Sequence, residues 1–513
     1  MSSLSSDQQG HDSSTQQQKS RIIHCNHAGA SPSPPSVVNT VIDHLRLEQR
    51  LGGYTAAEQA SGSLRGVYQR VYDLLHVSKP NDNERLPKPK DPTHEIALVE
   101  SGTVAWTRLF YAMVQFQHQR RLQQIHQQQG QTQAPRPLVI LVSEAEYAAN
   151  VVAACQWARD HASDPCCPWT VLSIPSVQNE SSGSSTGIVD LQVFQEMLQG
   201  TYQYQVPTAD NTLPATTMTL NPADIAMVCI THIPTNSGIV NHVEDIGTMI
   251  LDWNNKQKNQ NPSDGNEEDE DDMPSIFYLV DACQSLGQRE VYVEQIHCHG
   301  LVATGRKFLR GPRGTGFLYV PRDIANHLMP HHLDHFWVPV VTVPSNNRND
   351  NNGKSLPAPV ETMIQVQPKE GASRFEFYES NIANKLGLGE AIRYATEEVG
   401  MSKIQSSVSE LAQDLYHRLK DMDKVRVHHA PNCGIVTFYV PTLPSKSVKQ
   451  LLWEGDVRFE SSLVPATSTP LDSSRTKVPD MVRISLSYTN TISDLNLKRL
   501  KRIGKDNIIR PPP

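Results

Sequence analysis

The chain has 513 residues, of which 38% are hydrophobic and 19% are charged, and its formal net charge is −8. This length is too great for one ordinary hydrophobic core and predicts two or three packed units. The run EEDEDD at 267–272 holds much of the negative charge, so the rest of the chain is closer to neutral, and wholesale nucleic-acid binding is not favoured.

The cysteines and the N-terminus indicate the cellular compartment of the protein. The 8 cysteines are scattered and none forms a C-x-x-C pair. The N-terminus has neither an apolar secretion core nor an arginine-rich transit pattern, and no apolar run approaches the length of a membrane span. We therefore expect reduced thiols, a cytoplasmic location and no membrane association.

Short apolar runs alternate with helical patterns through the first two thirds of the chain. In chain order we predict a helix at 104–114, a strand at 137–143, a helix at 148–161, a strand at 225–232, a helix at 243–255, and strands at 275–282 and 300–305. Fully apolar strands separated by helices indicate an α/β fold with a mainly parallel sheet covered on both faces. In such sheets, ligands bind at the carboxyl ends of the strands.

The last third of the chain differs in pattern. Amphipathic helices are predicted at 386–400 and 406–422, and alternating strands at 433–440 and 481–488. This order predicts a smaller α+β domain. The predicted division is a disordered tail at 1–20, a large domain at 21–374, a small domain at 375–505 and a tail at 506–513.

Four polar stretches interrupt this organisation, at 116–136, 177–187, 254–274 and 343–356. They are rich in Gln, Ser and Gly, Asn and acidic residues, or Asn, and such compositions bury too little apolar surface to offset the entropy of ordering. We predict that they are solvated loops inserted into a smaller fold. The acidic run could bind a basic partner, but a solvating loop is the favoured interpretation.

Polar side chains follow the predicted strands where each strand ends. They are Asp281 and Gln284, His232 with Thr235 and Asn236, and Thr304 with Arg306 and Lys307. In addition, Ser101–Gly102–Thr103 opens a helix, and the free N–H groups of a helix N-terminus bind anions such as phosphate. His232 is equally compatible with a structural hydrogen bond and with a cofactor contact.

A lysine, an aspartate and a phosphate cradle together suggest pyridoxal phosphate. The lysine must be deprotonated to bond the cofactor aldehyde, and a cationic neighbour such as Arg306 lowers its pKa. The guanidinium of Arg306 also suits a phosphate. Asp281 would keep the pyridine nitrogen protonated, so that the ring accepts electrons from the substrate Cα.

The motifs identify a family resemblance. They are HCNHAGASPSP (24–34), ESGTVAW (100–106), EYAAN (146–150), ITHIPTNSG (230–238), VDACQSLGQ (280–288), ATGRKFLRGPRGTGFLYV (303–320), RFEFYESNIA (374–383) and VRISLSYTNT (482–491). In this order they resemble the class V aminotransferase family, which includes cysteine desulfurases and isopenicillin N epimerase-like proteins. The resemblance implies fold type I of the pyridoxal-phosphate enzymes, in which the large domain contains a mainly parallel sheet of seven strands. It also implies that the N-terminal segment joins the small domain, and that a homodimer places residues 379–381 near the neighbouring subunit's phosphate.

The resemblance assigns roles to individual residues. Lys307 is implied as the Schiff-base lysine and general base, Asp281 as the partner of the pyridinium nitrogen, and Gln284 as a partner of the ring oxygen. Thr235 or Asn236 would lie near that oxygen, and Arg483 would grip the substrate carboxylate. Phosphate contacts are implied for Gly102, Thr103, Thr304 and Arg306, the last at a position where desulfurases have histidine. Tyr147 is the aromatic residue nearest to the position where desulfurases stack a histidine on the ring.

The family resemblance leaves several reactions open at the Cα of an amino-acid substrate. Transamination is the first expectation for this predicted transferase, cleavage of a cysteine derivative by a C–S lyase or desulfurase is the alternative, and epimerisation is a further possibility. Residues 457–472, where desulfurases carry a loop cysteine, contain none, which disfavours the usual persulfide route. Cys229 and Cys283 are interpreted as packing residues. A catalytically silent scaffold is the alternative of another class, and no metal site is predicted.

Overall fold

The structure is a computed structural model, and it describes residues 21–76, 91–127, 136–178, 185–206, 216–260, 273–344, 362–454, 457–472 and 480–495. The predicted tails at 1–20 and 506–513 and the acidic run at 267–272 lie outside the described residues.

The strands, in chain order, are β1 (Arg21–His24), β2 (Ile96–Val99), β3 (Leu138–Ser143), β4 (Trp169–Ile174), β5 (Ser176–Gln178), β6 (Ser185–Val189), β7 (Gln203–Val206), β8 (Thr216–Thr219), β9 (Ile225–Thr231), β10 (Phe277–Asp281), β11 (Gly300–Thr304), β12 (Gly316–Tyr319), β13 (Val340–Pro344), β14 (Thr362–Val366), β15 (Arg426–Val427), β16 (Ile435–Tyr439), β17 (Val457–Glu460), β18 (Ser462–Val464) and β19 (Met481–Ser485).

The helices are α1 (Pro35–Leu51), α2 (Gly53–Gln59), α3 (Ser61–Leu75), α4 (Gly102–Gln127), α5 (Ala148–Asp160), α6 (Leu191–Gln199), α7 (Val243–Gln260), α8 (Val293–Ile296), α9 (Arg322–His327), α10 (Ile382–Arg393), α11 (Met401–Lys420) and α12 (Ser445–Trp453). A π-helical segment, Tyr394–Val399, follows α10. The predicted helices and strands are confirmed, with most ends differing by a few residues, but α4 continues 13 residues beyond its predicted end at 114.

Within the described residues, the central sheet has 7 strands in the order β2-β12-β11-β10-β9-β3-β4. Strands β11, β10, β9, β3 and β4 pair in parallel, whereas β12 is antiparallel to both of its neighbours. The predicted mainly parallel α/β sheet is therefore confirmed. Because β9, β10 and β11 are adjacent and parallel, their carboxyl ends meet at one edge of the sheet.

Both faces of this sheet are covered by apolar side chains, which explains why its strands are buried throughout. On one face, α4 packs Trp106 and Phe110, whose stacked rings are 4.5 Å apart. On the other face, the core includes Phe194 of α6 and Ile246 of α7. This double covering holds the strand ends, and the polar residues that follow them, in fixed positions.

The C-terminal part has its own four-stranded sheet, in the order β15-β16-β19-β18, and its own core against α11 and α12. The N-terminal strand β1 pairs in parallel with β17 in the same part of the chain. Cys25, next to β1, lies in this core with Leu415 and Phe438. The N-terminal segment thus packs with the C-terminal part of the chain.

The polar stretches are not loops throughout, which corrects part of the prediction. Residues 116–127 are the last turns of α4, residues 254–260 complete α7, and residues 343–344 end β13. In α4, the side chains of Phe116 and Gln117 are buried, and Gln117 donates to the carbonyls of Pro274 and Ser275. Glutamine is a good helix former, so a glutamine-rich segment extends a helix once tertiary contacts fix its first turns.

Glu376 forms a buried polar cluster that joins three elements. Its side chain is 2% exposed and accepts hydrogen bonds from Tyr68 Oη at 2.8 and 2.9 Å, from Leu98 N at 2.8 Å and from Lys385 Nζ at 3.0 Å. These partners come from α3, β2 and α10. Breaking a buried ion pair leaves the remaining charge without a partner, which makes such a pair sensitive to substitution.

We expect Glu376→Gln to lower the free energy of unfolding by about 3 kcal/mol, because Lys385 would then be a buried charge without its carboxylate. Urea denaturation followed by circular dichroism measures this change. Glu379→Gln is the matched control, since Glu379 is exposed three residues away. Equal losses in the two variants would contradict the assigned role of Glu376.

None of the helices in the described part of the chain combines the length and the apolar composition needed to cross a bilayer.

Candidate active site

A narrow cavity of about 60 Å³ lies at the carboxyl ends of β9, β10 and β11. It brings together nearly all of the predicted site residues from distant parts of the sequence. Its lining includes Gly102, Thr103, Tyr147, Thr235, Asp281, Gln284, Thr304, Arg306 and Lys307. Arg483 is held at this site by hydrogen bonds to Thr235.

The loop that carries Lys307 is held by backbone hydrogen bonds. Gly305 N donates to Thr315 O at 3.0 Å, and Gly311 N donates to Gly305 O at 2.8 Å, which closes the loop on itself. Arg310 has a φ of 62°, a left-handed conformation that costs energy for a residue with a side chain. Its guanidinium is fixed by Pro32 O at 2.9 Å and by Tyr488 Oη at 2.9 Å.

The loop after β10 packs directly against the lysine segment. Gly287 has a φ of 90°, and a Cβ atom placed there would lie 2.3 Å from Leu309 N. Only glycine fits this close approach in this backbone conformation. The approach brings the Asp281–Gln284 segment and the Lys307 loop to the same cavity.

Burial is the main reason that the pKa of Lys307 is lowered, and the positive charges of Arg306 and Arg483 lower it further. The neighbouring Cys283 and Asp281 act in the opposite direction and raise it. The predicted effect of Arg306 is therefore present but secondary to the removal of the amine from water. A lowered pKa favours the neutral amine, which is the nucleophilic form.

Both carboxylate oxygens of Asp281 accept hydrogen bonds, which fixes their orientation. Oδ1 accepts from the backbone N–H of Cys283 at 2.9 Å, and Oδ2 accepts from Asn150 Nδ2 at 3.0 Å. Asp281 is only 6% exposed. Since the carboxylate also lines the cavity, it presents a fixed negative charge to whatever binds there.

Glu146 and Asn150, which were not among the predicted site residues, hold Asp281 in place through a chain of hydrogen bonds. Asn150 Nδ2 donates to Glu146 Oε1 at 2.8 Å as well as to Asp281. Glu146 also accepts from Ser143 Oγ and from Thr231 N, each at 2.8 Å, and from the Thr231 hydroxyl. Complete burial raises the pKa of Glu146 to about 7, and the nearby Asp281 contributes to that rise. The signal was present in EYAAN, where two polar residues four positions apart follow the end of β3.

Gln284, Thr235 and Arg483 form a connected group on the other side of the cavity. Gln284 Nε2 donates to Ala28 O at 3.2 Å and to Thr235 Oγ1 at 3.1 Å, while its Oε1 is buried with no partner among the described residues. Arg483 donates through Nη1 to Thr235 O at 3.1 Å and Oγ1 at 2.7 Å, and through Nε to Ser462 Oγ at 3.0 Å. In the described part of the chain, Arg483 Nη2 has no hydrogen bond and remains free to bind an anion.

The structure distinguishes Thr235 from Asn236, which the sequence left open. Thr235 lines the cavity, whereas Asn236 Nδ2 donates to Thr469 Oγ1 at 2.8 Å and to Pro465 O at 3.2 Å, away from it. Tyr147 lines the cavity with a side chain that is 38% exposed. His232 does not line this cavity, and its position is described below.

Helix α4 begins at the cavity wall with Gly102 and Thr103. The two other predicted phosphate contacts are already engaged within the protein. Thr304 Oγ1 donates to Thr315 O at 3.2 Å, and Arg306 Nη1 donates to Gly29 O. Arg306 therefore ties the N-terminal segment to the cavity as well as adding positive charge to it.

Gly102 leaves room for Cys283, whose side chain lines the cavity instead of only packing in the core. A Cβ atom at position 102 would lie 2.3 Å from Cys283 Sγ, and its other contacts would be no closer than 3.5 Å. Burial raises the pKa of the Cys283 thiol well above its usual range, and the charge of Asp281 adds to this effect.

We expect Gly102→Ala to lower the free energy of unfolding by about 1–3 kcal/mol, because the added methyl group overpacks the contact with Cys283. The double variant Gly102→Ala/Cys283→Ala should recover most of this loss, since it removes the sulfur. Thermal denaturation of both variants measures the difference. Gly62→Ala is the control, because a Cβ there meets nothing within 4 Å. If the double variant were no more stable than Gly102→Ala, the steric explanation would be wrong.

The fold and the cavity define an α/β protein with a buried lysine and a fixed aspartate at the carboxyl ends of parallel strands. The family model described as aminotransferase class-V matches residues 272–497, which contain both of these side chains. Over these residues, the chain is similar to the class V aminotransferase family.

Individual relatives agree with this assignment. The chain is 25% identical over 274 residues to a probable cysteine desulfurase of Methanothermobacter thermautotrophicus, an alignment that covers 53% of this chain and 58% of that protein. The chain thus spans little more than half the length of the curated relatives that it matches. A cysteine desulfurase from Thermococcus onnurineus NA1, solved in its apo form, has a TM-score of 0.62 at 18% identity over 94% of this chain and 95% of the other.

The fold is also shared with the cystine C–S lyase C-DES, whose structure was solved with its reaction product cysteine persulfide. That chain has a TM-score of 0.61 at 15% identity, with coverage of 94% of this chain and 97% of the other. At this level of identity, the likeness to the solved structures shows the fold alone.

Proposed function

We propose that this protein binds pyridoxal phosphate and cleaves the Cβ–S bond of a cysteine derivative, with a disulfide such as cystine as the favoured substrate class. The observation that carries this proposal is the convergence of Lys307, Asp281 and Gln284 in one cavity next to a free donor of Arg483. The names of the relatives support the choice of a sulfur substrate.

The residues at the cavity fit the cofactor. The first N–H groups of α4 suit its phosphate, Asp281 suits its ring nitrogen, and the amine of Lys307 suits its aldehyde. Gln284 Oε1, which is buried and has no partner among the described residues, marks a position where a bound polar group would satisfy the side chain. When bound, pyridoxal phosphate supplies an electron-accepting ring that stabilises negative charge on the substrate Cα.

The protein side chains would then bind the substrate and move its protons. Arg483 Nη2 would hold the carboxylate, because Nε and Nη1 of the same guanidinium are already fixed by Ser462 and Thr235. Lys307 Nζ would remove the Cα proton, since its lowered pKa favours the neutral amine. As the Cβ–S bond breaks, the electron pair leaves with sulfur, which takes a proton. With cystine and one water molecule, the balanced products are pyruvate, ammonium and cysteine persulfide.

The positions of the cysteines favour a lyase over a desulfurase. A desulfurase needs a thiolate to accept sulfur from its substrate, and residues 457–472 provide no cysteine. Cys283 lines the cavity, but burial raises the pKa of its thiol, which disfavours the thiolate. The two exposed thiols, Cys155 and Cys166, are absent from the cavity lining. A lyase that releases its persulfide needs no acceptor thiol.

A substrate panel tests the proposed function. The purified protein is loaded with pyridoxal phosphate and incubated separately with L-cystine, L-cysteine, and L-alanine plus a keto acid. We expect pyruvate and a persulfide from L-cystine, with no accumulation of pyridoxamine phosphate. Amino transfer from L-alanine without activity on either sulfur substrate would establish transamination instead. A protein that binds no cofactor would establish the scaffold alternative.

We also propose that the protein forms a homodimer. Val38, Ile42 and Leu45 are 44%, 38% and 47% exposed, and their spacing places them on one face of α1. An exposed apolar face of this kind is typical of a protein interface. Sedimentation velocity should therefore show a species with twice the 57.1 kDa mass of one chain, and a monomer at micromolar concentration would contradict the proposal.

A further inference from the structure

A second cavity, of about 430 Å³, lies near the carboxyl end of β9. Thr231, the last residue of this strand, lines the first cavity, and the next residue, His232, lines the second. Successive side chains of an extended chain point to opposite sides, so the two cavities flank the same strand end. None of the residues assigned to the proposed active site lines the second cavity.

This second cavity is built from both parts of the chain. The large-domain side provides His232, Asn241 and Arg289, and the other side provides Gln413 of α11 with Asn432. Concave sites between packed domains are frequent places for small-molecule binding. Asn432 N donates to Gly238 O at 2.7 Å, which fixes one edge of the cavity across this boundary.

His232 is a buried polar group without a partner. Its side chain is 2% exposed, and Nδ1 makes no hydrogen bond within the described residues. Burial lowers the pKa of His232 to about 3, and the positive charge of Arg289 contributes, so the ring is neutral near pH 7. A buried nitrogen without a partner is unfavourable by itself, which points to a ligand atom as its missing partner.

Arg289 is a cation without a counterion in the same cavity. Its Nε is buried with no hydrogen-bond partner, and its Nη1 makes one long hydrogen bond, 3.3 Å, to Asn432 O. No carboxylate in the described part of the chain lies within ion-pair distance of this guanidinium, although the exposed Glu244 also lines the cavity. A guanidinium in a concave site with free N–H groups is suited to a carboxylate.

We propose that this cavity is a second binding site, for a small metabolite whose carboxylate is held by Arg289 and whose adjacent polar group meets His232. The ligand class includes both amino acids and keto acids, because they share the carboxylate. Since Thr231 and His232 are consecutive, a ligand in this cavity would contact the strand end that also forms the catalytic cavity. The proposal is independent of the reaction proposed above.

Isothermal titration calorimetry on the full-length protein loaded with pyridoxal phosphate tests this proposal. The probes are sodium pyruvate, L-alanine, ethylamine and inorganic phosphate. We expect pyruvate, L-alanine or both to bind, and the pattern identifies the ligand as a keto acid, an amino acid or either. Binding of ethylamine or phosphate alone, or of no probe at millimolar concentration, would overturn the proposal.

Variants then assign the binding to this cavity. Arg289→Gln should weaken carboxylate binding about 10-fold or more, because it removes a charged hydrogen-bond donor. Ser409→Asp provides a second variant that the fold should tolerate, since Ser409 lines the cavity from α11 and is partly exposed, and the new charge would repel a carboxylate. Arg322→Gln is the matched control, because Arg322 is exposed and pairs with Glu370 outside the cavity.

A variant of the active-site arginine, Arg483, distinguishes binding in the second cavity from binding in the catalytic cavity. In an Arg483→Gln background, the second site should still bind its carboxylate with unchanged affinity. If binding were lost in Arg483→Gln but retained in Arg289→Gln, the ligand would occupy the catalytic cavity and the proposal would be wrong. This outcome would not contradict the proposed lyase function. Conversely, a substrate panel without lyase activity would not contradict the second binding site.

Discussion

Lys307→Ala should abolish both the visible absorbance of the cofactor-loaded protein and the release of pyruvate. The reason is that the ε-amine at position 307 is the group that would hold the cofactor aldehyde and take the substrate Cα proton. Loss of a group with both roles typically reduces turnover by several orders of magnitude, on the order of 10⁴-fold or more. Absorbance spectroscopy and a pyruvate assay measure the two effects separately.

Borohydride reduction identifies directly which lysine forms the covalent bond with the cofactor. Reduction of the loaded wild-type protein followed by peptide mass mapping should place the added mass on the peptide that contains Lys307. Lys424→Ala is the control, because Lys424 is an exposed lysine in the small domain and should behave as wild type. An adduct on another lysine, or full absorbance in Lys307→Ala, would refute the central assignment.

Arg483→Gln has the second largest expected effect. We expect it to reduce kcat/KM for L-cystine about 100-fold, mainly through a higher KM, because a charged hydrogen bond to the substrate carboxylate would be lost. Burial lowers the pKa of Arg483 to about 10, so the wild-type guanidinium still carries its charge at neutral pH. Steady-state kinetics with varied substrate concentration separates KM from kcat.

The control for Arg483→Gln is Arg418→Gln. Arg418 lies on α11 of the same domain and pairs with Asp414 on the surface, so its loss should leave the kinetic constants unchanged. Cofactor absorbance should persist in Arg483→Gln, since this arginine is assigned to the substrate. Loss of the cofactor absorbance in Arg483→Gln would mean that Arg483 holds the cofactor instead.

The proposed lyase reaction needs no acceptor thiol from this chain, because the persulfide is released with the product. The structure brings Cys283 close to Lys307, yet the thiol is buried beside the carboxylate of Asp281, and both conditions raise its pKa. Cys283 also makes the close approach to Gly102 that the stability prediction tests. Its position therefore fits a packing role within the cavity wall better than the role of a nucleophile.

The amino-acid sequence by itself determined the α/β class and the residues at the strand ends. Fully apolar strands such as β9 and β10 can only be buried on both faces, so their periodicity predicted a covered parallel sheet. Because the carboxyl ends of parallel strands meet at one edge, the sequence alone predicts that Asp281 and Lys307 converge. The polar side chains that follow a buried strand lie within a few residues of its end, so the sequence shows them directly.

Only the tertiary structure decided how these residues are supported. Thr235 and Asn236 are neighbours in sequence, and their different contacts depend on the arginine and threonine that other segments bring to them. The partners of Glu146 come from β3, α5 and β9, so no single stretch reveals that its carboxylate is buried and hydrogen-bonded. The polar end of α4 is anchored at Phe116 and Gln117, which are buried, and Gln117 contacts another segment that composition alone does not reveal. The second cavity exists for the same reason: His232 and Arg289 are far apart along the chain, and folding places them around one volume.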